Sequence, residues 1–296
     1  MAAKPQPSLT RYAWLSIGAA VATIGLKLVA YVMTGSVGLL SDAVESVVNL
    51  IGALMALWML TLAAQDADAK HAHGHSKAEY FSSGVEGALI IVAAIAIAYA
   101  AIKRLLDPQP LEQVGIGLLV SAFASLINYI VTRILLKAGN QYRSITLEAD
   151  AHHLMTDVYT SAGVIIGVGL VSLTGWQRMD PLVALLVSAN IVWTGVSLVR
   201  RSVDGLMDVV LPEKELAMIE QIMERYRRHH VEFHALQTRQ AGSHRFVAVH
   251  MLVPGEMTVH DAHHLAEDFE QELRDALEQV SVTTHLEPIE DSNSFH

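Results

Sequence analysis

The sequence contains no cysteine in its 296 residues. Disulfides and thiolate metal sites are therefore excluded, and any metal must be held by histidine nitrogen and by carboxylate or amide oxygen. Basic side chains are also scarce: 20 Lys and Arg stand against 30 Asp and Glu, a formal net charge of −10. Phosphate contacts need a basic face, so this balance argues against a nucleic-acid partner. No small-residue cleavage pattern follows the start. MAAKPQPSLTRYAWLS runs directly into a long apolar segment, which reads as a first membrane helix rather than a secretory leader. There is no HExxH helix and no nucleophile motif to support an intramembrane metalloenzyme.

Apolar side chains and histidine are what the chain has in quantity. Hydrophobic residues make up 52% of it, and there are 15 histidines. The apolar residues gather in long runs before about residue 200, which sets a membrane part, 1–207, ahead of a separately folding tail, 208–296. Six runs reach the roughly 20 residues that a membrane helix needs. They cover 12–33, 37–62, 81–104, 114–136, 145–173 and 181–199. Loop lysines and arginines divide nine against three in favour of the side holding the N-terminus, the second and fourth loops and the exit from helix six. By the positive-inside rule both termini are cytoplasmic. The tail reads helix, strand, strand, helix, strand, a small α+β sandwich. Its second helix opens with a capping-box spacing, Thr258 to Asp261, and carries Leu265, Phe269, Leu273 and Leu277 on one stripe.

Ionisable groups inside membrane helices are costly and mark function. Helix two carries Asp42, Glu45 and Asn49 on one face, and helix five carries His153 and Asp157 four residues apart. Brought together, Glu45, Asn49, His153 and Asp157 offer one nitrogen and three oxygen donors, enough for a four-coordinate cation. Asp42, Glu148 and Asp150 lie near helix ends, where solvation alone would account for them. The second loop holds Asp66, Asp68, His71, His73 and His75, a compositional metal signal that non-specific surface histidines would also give. From Asp204 onward there are 18 acidic and 7 basic side chains and ten histidines. Such a domain suits a cation, although an acidic solvated surface has the same composition. His234, His250, His263, His285 and Glu287 fall on or beside different tail elements, and spacing alone does not bring them together.

With these residues in view, the sequence resembles the cation diffusion facilitator family, in its bacterial ferrous-iron and zinc efflux branch. The resemblance is carried by Thr34-Gly35-Ser36-Val37 and the acidic face after it, and by His71-Ala72-His73-Gly74-His75-Ser76-Lys77-Ala78-Glu79. It continues through Ala151-His152-His153-Leu154-Met155-Thr156-Asp157, Leu211-Pro212, Thr238-Arg239-Gln240-Ala241-Gly242 and Thr284-His285-Leu286-Glu287-Pro288. It spans the chain in order. It implies a ferredoxin-like, metallochaperone-like tail and a homodimer in the bacterial inner membrane that exports a divalent metal ion against protons. Zinc is the first choice, and iron, cobalt, cadmium or manganese are alternatives. The implied transport site is Glu45, Asn49, His153 and Asp157; the loop site is Asp68, His71 and His75. The implied tail site is binuclear, with His234, His250, His263 and His285 and with Glu287 as the bridge. The resemblance also pairs Lys77 with Asp208 as a clamp on the dimer.

Two departures from the family pattern stand out. Glu45 and Asn49 occupy positions where the branch has aspartate, which removes one negative charge and lengthens one arm. Metal selectivity and proton stoichiometry are the properties these changes bear on, and Asp42, one turn away, is the candidate substitute anion. Glu287 stands in place of a bridging aspartate. The implied mechanism is competition between protons and metal at His153 and a carboxylate, with rocking helices giving alternating access. Metal bridging two tails would act as a cytoplasmic sensor through mass action. The reading from a different class is a membrane-tethered metal sensor or buffer that transports nothing; such a protein needs only the tail sites.

Overall fold

The computed structural model describes residues 9–34, 37–65, 67–107, 114–176, 178–228 and 230–291. The side chains of several residues within its helices, Asp42 and Glu45 among them, lie outside the described set. The chain forms two compact units, Met1–Val203 and Asp204–His296.

The first unit is built from long helices: α1 (Thr10–Thr34), α2 (Val37–Ala63), α3 (Ala78–Leu106), α4 (Val114–Tyr142), α5 (Ile145–Thr174) and α6 (Met179–Leu206). Among the described residues four stretches are long and apolar enough to cross a membrane: Thr10–Val29, Ala78–Leu106, Ala122–Tyr142 and Pro181–Leu206. Helices α2 and α5 are as long, at 27 and 30 residues, and it is these two that carry Asn49, His153 and Asp157. Large apolar side chains such as Trp14, Trp58, Leu186 and Trp193 stay exposed on the helix surfaces, as a lipid-facing surface requires. Polar groups turn inward instead, including Ser16, Lys27, Asn49, Glu86, Asn128 and Asp157. Helix α5 packs on α2, α3 and α4, while α1 packs on α2 and α4. Helices α3 and α6 approach through glycine. A Cβ on Gly87 would stand 2.9 Å from Val199 Cγ2 and 3.1 Å from the Gly195 carbonyl oxygen. This is the small-residue contact that lets membrane helices close on one another.

The second unit comprises α7 (Glu213–Arg227), β1 (Glu232–Ala241), β2 (His244–Val253), α8 (Val259–Ala276) and β3 (Val280–Pro288). Strand β2 lies at the centre of the sheet, antiparallel to β1 and parallel to β3. Val247, Val249 and Met251 of β2 pack with Ile219 of α7 and Phe269 and Leu273 of α8 in one core. Arg245 and Glu215 form a buried two-pronged ion pair beneath it, at 2.9 and 3.1 Å. Thr258 caps α8: its Oγ1 accepts the Asp261 backbone N–H at 3.2 Å and donates to Asp261 Oδ2 at 2.7 Å.

Candidate metal centres

Asp157, on α5, is the centre of the candidate intramembrane site. One of its oxygens, Oδ2, accepts from Asn49 Nδ2 of α2 at 2.6 Å and from Asn128 Nδ2 of α4 at 3.0 Å. The Lys27 ammonium of α1 stands 3.7 Å from the same oxygen and donates to Ser46 Oγ at 2.7 Å. Asn49, Asp157 and Lys27 are 4%, 3% and 2% exposed, so these polar groups meet away from water. His153, one turn before Asp157, is buried as well. Its Nδ1 faces α2, since a Cβ on Gly52 would lie 3.3 Å from it. The structure thus joins Asn49 to Asp157 and seats His153 beside the same stretch of α2, whereas the Glu45 and Asp42 side chains lie outside the described residues.

Lys27, Ser46 and Asn128 were not among the residues marked in the sequence. The signal for Lys27 and Asn128 was available: each is a charged or amide side chain within a long apolar run, and such groups face a bundle interior. Asp150 calls for a correction. Its place near a helix end suggested solvation, but it is 1% exposed because Ser16 of α1 covers it, donating to Oδ1 at 2.9 Å. Glu148, near the same helix start, pairs with Arg201 of α6 at 2.6 Å.

The loop between α2 and α3 folds around Asp68. Its Oδ1 accepts the backbone N–H of Lys70 at 2.8 Å and of His71 at 2.6 Å. The bonds from His71 and then Lys70 hold this carboxyl below its ordinary pKa, so it stays an anion. His71 Nδ1 lies 3.1 Å from Asp68 Oδ1, His75 Nε2 lies 3.5 Å from Oδ2, and the two ring nitrogens are 3.0 Å apart. One ligand atom from each of Asp68, His71 and His75 falls within 4.8 Å of the others. His73 is exposed, and Asp66 lies outside the described residues.

In the tail, strand register aligns three histidines in one row: His234 of β1 pairs with His250 of β2, which pairs with His285 of β3. The row is on the side of the sheet away from the core, because His250 alternates with the buried Val249 and Met251. Glu287, two residues along β3, reaches all three. Its oxygens lie 2.8 Å from His234 Nε2, 3.0 Å from His250 Nδ1 and 3.4 Å from His285 Nε2. The hydrogen bond from His234, followed by the charges of the neighbouring histidines, lowers the Glu287 pKa. A β-bulge follows His234 and puts Ala235 in the left-handed region at φ 50; bulges of this kind re-aim the neighbouring side chain. His263, on α8, is not brought into this group within the chain. It is exposed and faces Glu267 at 3.5 Å. Asp208 pairs with Arg239 of β1 at 3.2 Å.

Both parts of the chain match known domain families. The cation efflux transmembrane domain matches residues 13–207, and the cation efflux protein cytoplasmic domain matches residues 211–289. This chain belongs to the cation diffusion facilitator family. An uncharacterized transporter of Synechocystis sp. is 53% identical over 284 residues, which cover 96% of this chain and 92% of that one. The cation-efflux pump FieF of Salmonella arizonae is 29% identical over 280 residues, covering 95% and 93%. Among solved structures, the metal-bound C-terminal domain of the CzcD transporter from Thermotoga maritima is 29% identical. It covers 28% of this chain and 99% of that one, with a TM-score of 0.25. As a cation diffusion facilitator the chain is an integral membrane protein of a transporter family, with a helical domain followed by an α+β domain.

Proposed function

We propose that this cation diffusion facilitator exports a divalent transition-metal ion, zinc first, from the bacterial cytoplasm in exchange for protons. It would do so as a homodimer in the inner membrane, with six crossings and both termini inside. The observation that carries the reading is the hydrogen bond joining Asn49 to Asp157 in the buried interior of the helical domain, with His153 buried one turn away on α5. A carboxylate, an imidazole and an amide form a borderline-hard donor set suited to Zn²⁺, Fe²⁺, Co²⁺ or Mn²⁺. FieF relatives described as cation-efflux pumps support the direction.

The chemistry follows from the donor types. Imidazole binds metal only when neutral, so metal and protons compete for the same atoms. When the site faces the more acidic side, protonation releases the ion; when it faces the cytoplasm, loss of protons restores the ligands. Helices α2 and α5 carry the donors, and their motion against the rest of the bundle would expose the site alternately to the two sides. The Asp68–His71–His75 group and the His234–His250–His285–Glu287 row would bind the same ions outside the membrane, the latter as a regulatory site joining two tails. The test is metal uptake into proteoliposomes under an imposed pH gradient, across a panel of Zn²⁺, Fe²⁺, Co²⁺, Cd²⁺ and Mn²⁺. Wild-type protein should move at least one ion in a proton-dependent manner, and Asp157→Ala should move none while remaining dimeric. Full transport by Asp157→Ala would sink the assignment of the site.

A further inference from the structure

Glu270 of α8 belongs to no site described above. Its Oε1 accepts two hydrogen bonds from a single residue of β3: the Thr284 backbone N–H at 3.2 Å and the Thr284 hydroxyl at 2.7 Å. Its other oxygen, Oε2, accepts from Arg274 Nη1 at 3.1 Å, one turn along α8. Strand β3 lies at the edge of the sheet, beside β2. An edge strand turns alternate N–H groups away from its neighbour, and Glu270 supplies the acceptor for that of Thr284. The two ends of β3 are tied separately. The Arg245 N–H donates to the Gln279 carbonyl at 2.9 Å before the strand begins, and the Ile289 N–H donates to the Val253 carbonyl at 2.9 Å after it ends. The Glu270 clip holds the stretch between them.

The clip sits directly behind the metal row. Thr284 pairs with Val249, on the core side of the sheet, and the next residue, His285, pairs with His250 on the opposite face. The peptide joining Thr284 to His285 is planar and stiff, so fixing the N–H and side chain of one places the backbone of the other. The His285 side chain is 66% exposed, and so has little packing of its own to hold it. Phe269 and Leu273 already press α8 onto the sheet, but apolar burial is non-directional and leaves the helix free to roll and slide. The paired bonds from Thr284 are directional and charge-assisted, and they set the register of α8 on β3. His263, the histidine of the proposed tail site that lies on α8, is two turns before Glu270 on the same face of the helix. One carboxylate therefore fixes both elements that carry His263, His285 and Glu287.

We propose, on the reading above that the row binds metal, that Glu270 is a positioning residue of the tail site: by clipping Thr284 it holds His285 and Glu287 at the spacing from His250 and His234 that a metal ion requires. The test titrates Zn²⁺ into the full-length protein in detergent against a chromophoric chelator. His250→Ala defines the tail's share of the binding, since it deletes the middle of the row. Glu270→Ala should weaken that share about tenfold, as loss of a group that orients ligands does. Glu270→Gln keeps an oxygen that can accept from Thr284 and should restore the affinity to within about threefold. Co²⁺ supplies a second readout, because its visible absorption reports donor geometry. The band lost in His250→Ala should change in shape or intensity in Glu270→Ala and return in Glu270→Gln, whereas a loss of tail stability alone would leave the band of the folded protein unaltered. A tail share with wild-type affinity and a wild-type Co²⁺ band in Glu270→Ala would overturn the proposal and leave the row a metal site. Identical titrations of wild type and His250→Ala would overturn the metal reading of the row, and the proposal with it. If Glu270→Ala is not folded by circular dichroism, Thr284→Val decides, because it keeps the side-chain shape and removes the hydroxyl bond. Tail binding weaker by about threefold would then support the proposal, and unchanged affinity would overturn it.

Discussion

Asp157 Oδ2 receives Asn49, Asn128 and Lys27 together, so an arriving dication must displace at least one of them. Lys27 matters most, because it puts a cationic side chain where the proposed site would bind a metal ion. Two unit charges about 4 Å apart interact by about 4 kcal/mol at an effective dielectric near 20. Lys27→Met should therefore tighten Zn²⁺ binding at the membrane site by about tenfold or more, equivalent to at least ~1.4 kcal/mol, and slow turnover by retarding release. Isothermal titration beside proteoliposome rates checks both halves; unchanged affinity would remove Lys27 from the site. Asn49→Asp adds a charge at the same oxygen cluster and should change the ranking of metals, tightening Zn²⁺ relative to Mn²⁺. An unchanged ranking would place Asn49 outside the ligand shell. His153 and Asp157 could be read from the sequence because a charge inside an apolar run is costly wherever it lies. That Asp150 is buried could not, since it depends on Ser16, 134 residues away.

At the scale of elements, the helices were legible because each is a long apolar run, and the tail's α–β–β–α–β order because capping and periodicity are local. Thr258 and Asp261 make the cap that their spacing indicates, and Thr258→Ala should cost about 1 kcal/mol of tail stability, measurable by chemical denaturation. Strand order was not legible. That β2 takes the centre, parallel to β3, is fixed by non-local pairing, and this pairing turns three scattered histidines into a row. The α3–α6 contact was also hidden, because nothing local distinguishes Gly87 from other glycines. Backbone stands behind it: the Gly195 carbonyl would be 3.1 Å from an added Cβ and cannot rotate aside. Gly87→Leu should separate the two helices, lowering thermal stability in detergent by about 1–3 kcal/mol and reducing transport. Unaltered melting would show that the crossing yields more easily than its geometry indicates.

For the whole molecule, the question is what metal on the tail would do under the proposed function. The tail has its own core around Met251, Phe269 and Leu273, so a fragment covering 208–296 should fold alone. His234, His250 and His285 meet Glu287 on an open sheet face, while His263 stands exposed on α8, available to a second tail. If metal joins two tails through these groups, Zn²⁺ stabilises the dimer by mass action. The pH dependence has a definite sign. Glu287 is held below its ordinary pKa, so its ionised form contributes above the ordinary carboxylate range and is lost only as pH falls through the lowered value. Imidazole ligates metal only when neutral, so acid also competes with zinc for the histidine nitrogens. Zinc-dependent association of the fragment, followed by sedimentation, should therefore be strong near pH 7.5 and mostly gone near pH 5.5, with the fold intact by circular dichroism. His250→Ala should remove most of the zinc dependence at neutral pH, because it deletes the middle of the row. In the full-length protein the same substitution should weaken transport without abolishing it, since Asp157 and its neighbours are unaltered. Association that ignores zinc at pH 7.5 would mean that the row is a solvated acidic surface and that regulation, if any, comes from the Asp68 loop.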